Sequence, residues 1–161
     1  MKVSGFTFVK NAIKYGYPVV ESIQSILPIL DEMIVCLGDS EDETYQLIES
    51  IGSSKIRIIH SVWDSRIREG GQVLAVETDK SLDATADESD WLFYIQADEV
   101  VHEQYHATIV YAMEKYQDDK KVEGYEAWLQ QSLLERFCSW LASPRPASGL
   151  SGQRGTAGDP V

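Results

Sequence analysis

Cysteine is nearly absent from this chain: 161 residues contain two, Cys36 and Cys138. Nothing in their placement suggests a disulfide framework or a four-ligand zinc site. Cys36, inside the apolar run Met33–Leu37, is expected as a small core residue. Basic charge is also scarce. Fourteen Lys and Arg face 26 Asp and Glu, for a net charge of −12 and a pI near 4.6. That balance excludes nucleic acid as the main partner, because phosphate backbones need a basic face, and it disfavours an anionic membrane surface. An anionic sugar nucleotide stays compatible, since a bound metal reverses the local sign. No segment approaches the ~20 apolar residues of a membrane span. The start, Met1–Thr7, has no apolar stretch of signal-peptide length, so the expected compartment is the cytoplasm. Neither a P-loop nor Gly-x-Gly-x-x-Gly occurs, which removes P-loop chemistry and dinucleotide binding.

What is present alternates between strand and helix. Val3–Val9 is apolar and β-prone and reads as a first strand. Tyr17-Pro18 opens a helix, with Pro18 suited to its first position. Val19, Val20, Ile23, Ile26, Leu27 and Leu30 form its apolar stripe, and Pro28 should end or kink it. Met33–Leu37 is a second strand. Ser40 and Glu43 have capping-box spacing and predict a helix with Tyr45, Leu47, Ile48 and Ile51 as its apolar residues. Gly52 is its stop. Ile56–Ile59 is a third strand. Gly70-Gly71 precedes a weaker helix through Val73, Leu74, Val76 and Leu82. Trp91–Gln96 is a fourth strand, and Glu103–Gln117 a later helix. The aromatics Trp91, Phe93, Tyr94, Tyr105, Tyr111 and Tyr116 are expected in the core. This order predicts an α/β protein with a mostly parallel sheet covered by helices on both faces. The end differs. Gly, Pro and Ser supply 10 of the 20 residues 142–161, so that tail is expected to be disordered. Residues 136–161 carry net +2, leaving −14 on residues 1–135. Residues 125–141 read as a helical extension.

Four groups of residues carry possible chemistry. Asp98 and Glu99 follow the apolar strand where it would leave the sheet, the edge at which open α/β sheets bind ligands. Their oxygens suit Mg²⁺ or Mn²⁺, which can neutralise a diphosphate. Read blandly, they are a solvated strand end. Asp39, Ser40 and Asp42 follow the second strand at the same edge; helix capping explains them equally well. Arg66, Arg68 and Gly70-Gly71 could grip an anion at a helix start, or form an ordinary loop. His102-Glu103-Gln104-Tyr105-His106 matches the His-Glu-x-x-His zinc-hydrolase motif, with Glu103 as base and Glu123 or Glu126 as a third ligand. The plain alternative is a surface turn of helix.

Taken together, Phe6–Asn11, Glu21-Ser22-Ile23 with Leu27-Pro28, Asp31-Glu32, Gly38–Thr44, Lys55–Ile59, Trp63, Arg68–Gly71 and Asp90–Glu103 resemble the family 2 glycosyltransferases, closest to the small bacterial enzymes. The likeness runs from Phe6 to about Gly124, within an expected nucleotide-sugar-binding domain of residues 1–124. It implies a Rossmann-like GT-A sheet, a nucleotide-diphospho-sugar donor and a divalent metal, Mn²⁺ or Mg²⁺, as cofactor. It also implies donor contacts from Phe6, Asp39, Asp42, Arg68, Gln96 and Asp98, with the metal on Asp98 and Glu99. The acceptor would be a hydroxyl of a glycan, lipid or small molecule. The chain departs from the pattern in two places: the usual Asp-x-Asp reads Gln96-Ala97-Asp98, and Leu37-Gly38 stands where Asp-Asp is frequent. After Gly124 the likeness fades, which implies that the chain is cut short or frame-shifted before an acceptor-binding half, and no catalytic base is identifiable.

Overall fold

The computed structural model describes residues 1–64, 66, 71–118, 124–131 and 135–142, with backbone alone for the last two segments. Six strands form one sheet in the order β3-β2-β1-β4-β6-β5. β1 (Val3–Val9) lies at its middle, parallel to β2 (Glu32–Leu37) on one side and to β4 (Trp91–Tyr94) on the other. β3 (Ile56–His60) pairs parallel with β2. β1, β2 and β4 are buried along almost their whole length. This is why they read as continuous apolar runs rather than as alternation.

The two faces separate by period 2 along the strands. Val3, Val9, Met33, Val35, Leu37, Trp91 and Phe93 join the larger core. The helices that complete it are α2 (Val19–Ile26), α3 (Thr44–Glu49) and α5 (His106–Tyr116). Phe6, Ile34 and Leu92 pack on the opposite face with Leu82 of α4 (Gln72–Asp83). Helices thus cover both faces, as expected. Each fully buried large side chain, such as Phe93 at 0% exposure, contributes about 1.5–3 kcal/mol.

Of the expected stripe, Val19, Ile23, Ile26 and Leu30 are buried and Val20 and Leu27 half-buried against the larger core, with Leu27 and Leu30 past the end of α2. Pro18 lies one position earlier than expected, as the residue capping α2. Pro28 ends the α-helix in a tight turn, Leu27–Ile29. A short helix absent from the sequence reading, α1 (Ala12–Tyr15), follows β1.

Three expectations are overturned. The capping box does not form, because Glu43 rather than Ser40 precedes α3. Asp42 accepts from Thr44 N instead, at 3.1 Å. Tyr111 is 63% exposed rather than in the core. The segment expected as a helical extension contains two strands, β5 (Gly124–Gln131) and β6 (Glu135–Ala142). β6 pairs antiparallel with β4, so this hairpin continues the sheet. A short apolar segment can go either way on periodicity. The open hydrogen-bonding edge of β4 decides it here. Residues 143–161 lie outside the described residues.

Candidate functional site

β1 steps through β2 to β3 on one side, and the chain then crosses by α4 to β4 on the other side of β1. Strand order therefore reverses between β1 and β4. A crevice outside the carboxyl ends of such strands is the ligand site general to this class of sheet. A cleft of about 380 Å³ lies there, lined by Phe8, Val9, Lys10, Asn11, Tyr15, Tyr17, Trp63, Leu74 and Gln96–Asp98.

One wall comes from the loop after β1, latched to the loop after β2. Asn11 sits in the left-handed region with φ 55°, a conformation that asparagine tolerates better than most residues. The turn aims its backbone and side chain at the second loop. Asn11 N donates to Ser40 Oγ at 2.9 Å, and Glu41 N donates to Asn11 Oδ1 at 2.7 Å. Ala12 N donates to Thr44 Oγ1 at 2.8 Å, and Lys14 N to Asp42 Oδ2 at 2.8 Å. Ion pairs Lys10–Asp39 at 2.6 Å and Lys14–Glu41 at 2.8 Å close the seam.

The three acids of this latch all titrate below their ordinary values. Lys10 lowers Asp39 and Lys14 lowers Glu41. For Asp42, partial burial works in the opposite direction, and hydrogen bonds from Thr44 and Lys14 outweigh it. Lowered folded values mean that the latch is complete above the unshifted carboxylate range and is lost as pH falls through the lowered values. The charged part of the latch should therefore loosen below about pH 4, while the neutral bonds among Asn11, Ser40, Glu41 N, Ala12 N and Thr44 remain. Tryptophan fluorescence, with Trp63 against the latch, is expected to be flat from pH 5 to 7 and to change on acidification. A change beginning above pH 5 would contradict this account.

Trp63 closes the wall. Its ring is edge-on to Phe8 at 6.1 Å, and Lys10 Nζ lies 5.7 Å from the ring centroid. This packing requires a glycine beneath it. A Cβ on Gly38 would stand 2.6 Å from Trp63 Nε1 and 2.9 Å from Lys10 Cβ. Gly38→Ala is expected to destabilise by about 1–3 kcal/mol through overpacking. A urea titration with unchanged midpoint would refute the close approach.

The floor is the turn after β4. Gln96 and Asp98 are exposed and line the cleft. Glu99 does not join them. It is 9% exposed, and its carboxylate turns back to accept from Gln96 N at 2.9 Å. The expected metal ligand is therefore a turn cap. Phe6 is likewise a core side chain, 5% exposed among Ile34 and Leu92. The cleft is lined by Phe8, two residues closer to the carboxyl end on the same strand face. Asp39 is held by Lys10, a lining residue, whereas Asp42 is engaged with backbone. Arg68 and Gly70 lie outside the described residues. Arg66 is paired with Asp64 at 2.8 Å in its own loop. Lys10, Asn11, Tyr15, Tyr17 and Leu74 were not among the expected site residues. The signal that could have found the first two is their place immediately after β1.

His-Glu-x-x-His does not form a zinc helix. His102 is extended and precedes a tight turn, Glu103–Tyr105, so the two histidines do not share one α-helical face. His102 Nδ1 accepts from Gln104 N at 3.1 Å, and His106 Nε2 bonds Ser25 O at 2.6 Å. Among the described residues no three His, Cys, Asp or Glu are placed to hold a metal by themselves.

No protein-family model and no curated protein matches the chain. Solved structures do. Glucosyl-3-phosphoglycerate synthase from Mycobacterium tuberculosis, in complex with Mn²⁺, UDP and phosphoglyceric acid, superposes with a TM-score of 0.58 at 15% identity, over 88% of this chain and 55% of that one. S. aureus TarS, residues 1–349, gives a TM-score of 0.50 at 19% identity, over 72% of this chain and 33% of that one. The chain has the GT-A glycosyltransferase fold. It spans little more than half of the first GT-A structure and a third of the second.

The donor set of this GT-A floor is one carboxylate, Asp98, beside the neutral amide of Gln96. Mg²⁺ and Mn²⁺ are commonly held by one or two carboxylates plus substrate phosphates rather than by an all-protein cage. The residues fit an ion that arrives with a diphosphate.

Proposed function

We propose that the cleft between β1 and β4 binds a nucleotide-diphospho-sugar with Mn²⁺ or Mg²⁺ at Asp98. In this reading the chain serves transfer of that sugar to a hydroxyl of a glycan, lipid or small-molecule acceptor. The observation that carries the reading is the position of Asp98. It lies on the floor of the cleft where strand order reverses, in a chain with the GT-A fold.

A bound divalent ion would neutralise diphosphate charge and stabilise it as a leaving group. Asp98 supplies the carboxylate and Gln96 a neutral oxygen. Lys10, held by Asp39 and Trp63, borders the cleft at the β2 side, where base and ribose would lie. Phe8, Tyr15, Tyr17 and Trp63 offer aromatic surface on which a planar base could pack. The acceptor hydroxyl needs a positioned base, and no described residue of the cleft is placed in that role.

The test is calorimetric titration of the full chain with a panel of nucleoside diphosphates and their sugars, in Mn²⁺ and again in EDTA. Binding that requires Mn²⁺ and favours one base supports the reading. Equal heats with and without Mn²⁺, or none from any nucleotide, would refute it.

A further inference from the structure

The turn that presents Asp98 is tied to α2 at both ends. Ser22, 0% exposed, donates from Oγ to Gln96 O at 2.9 Å. Five residues later Val101 N donates to Ser25 Oγ at 3.0 Å. Ser25 Oγ donates in turn to Ser22 O at 2.7 Å, so the two serines act as one unit. From the other side His106 reaches the same residue. A carbonyl can only accept, so His106 Nε2 carries the proton and donates to Ser25 O at 2.6 Å. Within the turn, Glu99 N donates to Gln96 O at 3.1 Å, and Gln96 N to the Glu99 carboxylate at 2.9 Å. Val101, 4% exposed, anchors the far end in the larger core.

We propose that Ser25 is a positioning residue. With Ser22, His106 and Glu99 it holds the Gln96–Val101 turn, and Asp98 on it, in one conformation before any ligand arrives. The proposal rests on the donor-binding reading for its functional consequence, but not for the clamp itself. It also gives His106 a task unrelated to zinc.

A turn of six residues left free would sample many conformers, and fixing it on binding would cost affinity. A prepaid turn removes that cost for ligands that use Asp98 and leaves it unchanged for groups that bind only at Lys10, Asp39 and Trp63. Outer hydrogen bonds that orient a metal ligand are commonly worth ten- to a hundredfold in metal affinity. The effect of losing Ser25 should therefore fall on the Mn²⁺-dependent part of nucleotide binding alone.

The experiment compares wild type, Ser25→Ala and Ser25→Thr as full chains. Amide hydrogen exchange is read at Gln96 and Val101, and nucleoside-diphosphate affinity is read in Mn²⁺ and in EDTA. Ser25→Ala is expected to speed exchange at both amides about tenfold or more. It should also shrink the Mn²⁺-dependent gain about tenfold while the affinity in EDTA is unchanged. Ser25→Thr keeps the hydroxyl and should restore both. Unchanged exchange in Ser25→Ala overturns the clamp. Faster exchange with an intact Mn²⁺-dependent gain overturns its positioning role. If wild type shows no Mn²⁺-dependent gain, the donor reading fails instead, and hydrogen exchange still decides whether the clamp exists.

Discussion

Asp98→Asn is expected to remove the Mn²⁺-dependent part of nucleotide binding and to leave stability unchanged. Asp98 is exposed on the cleft floor, so neutralising it disturbs no core contact. The loss comes from charge. A carboxylate in contact with a divalent ion at about 2.1 Å gains roughly 4 kcal/mol even at the dielectric of water. An asparagine oxygen recovers part of this as a neutral ligand. The net expectation is a loss on the order of a hundredfold, about 2.8 kcal/mol. Glu99 cannot compensate, because its carboxylate is committed to Gln96 N. The companion change, Gln96→Asp, places a second acid beside the first and should raise Mn²⁺ affinity. Titrations of both variants against wild type check the pair. Binding by Asp98→Asn within threefold of wild type would mean that the diphosphate is neutralised elsewhere.

A residue's pattern encodes some features of its place in the fold and not others. β1, β2 and β4 were legible because burial on both faces leaves continuous apolar runs, which polar helices and loops do not imitate. The placement of Asp98 followed from the same run, since the first polar residues after a buried strand, here beyond Ile95, emerge at the sheet edge. Glu99 was misjudged for a different reason. A carboxylate's identity does not say whether it faces solvent or turns back to a free backbone N–H, and a tight turn after a strand supplies that N–H. Phe6 and Phe8 share a strand face, so period 2 placed both on one side without telling which lies beyond the core. The β5–β6 hairpin escaped because periodicity does not separate a short apolar strand from a helix, and the partner that ties β6 into the sheet, β4, lies far away in sequence. α4 looked weak because its buried face is mixed: Leu82 packs on Phe6, Ile34 and Leu92, Glu77 and Ser81 are buried, and Leu74 and Val76 are 48% and 38% exposed.

The polar part of that buried face leads to the second large effect, in Lys80→Ala. Glu77 is 1% exposed under α4, facing β2. Its carboxylate receives Lys80 Nζ at 2.6 Å and the Cys36 thiol at 3.6 Å. Lys80 also donates to Ser61 Oγ at 2.8 Å, which ties α4 to the start of the loop carrying Trp63. Removing Lys80 leaves a buried carboxylate with a weak thiol donor, and breaking one half of a buried pair typically costs 3–5 kcal/mol. Lys80 is 42% exposed, so water can follow it in, and the lower end, about 3 kcal/mol, is expected. Replacing both partners, as Glu77→Met with Lys80→Met, removes the stranded charge and should recover most of that loss. Cys36 offers an internal reporter. Burial, and then the charge of Glu77, pushes its thiol up to about 11, so at pH 8 it stays protonated and shielded until α4 lifts away. Alkylation should be roughly a hundredfold faster in Lys80→Ala and near the wild-type rate in the double variant. Urea midpoints measured alongside should move in the same order. A Lys80→Ala protein within 1 kcal/mol of wild type, with Cys36 still protected, would mean that Glu77 is satisfied without its lysine.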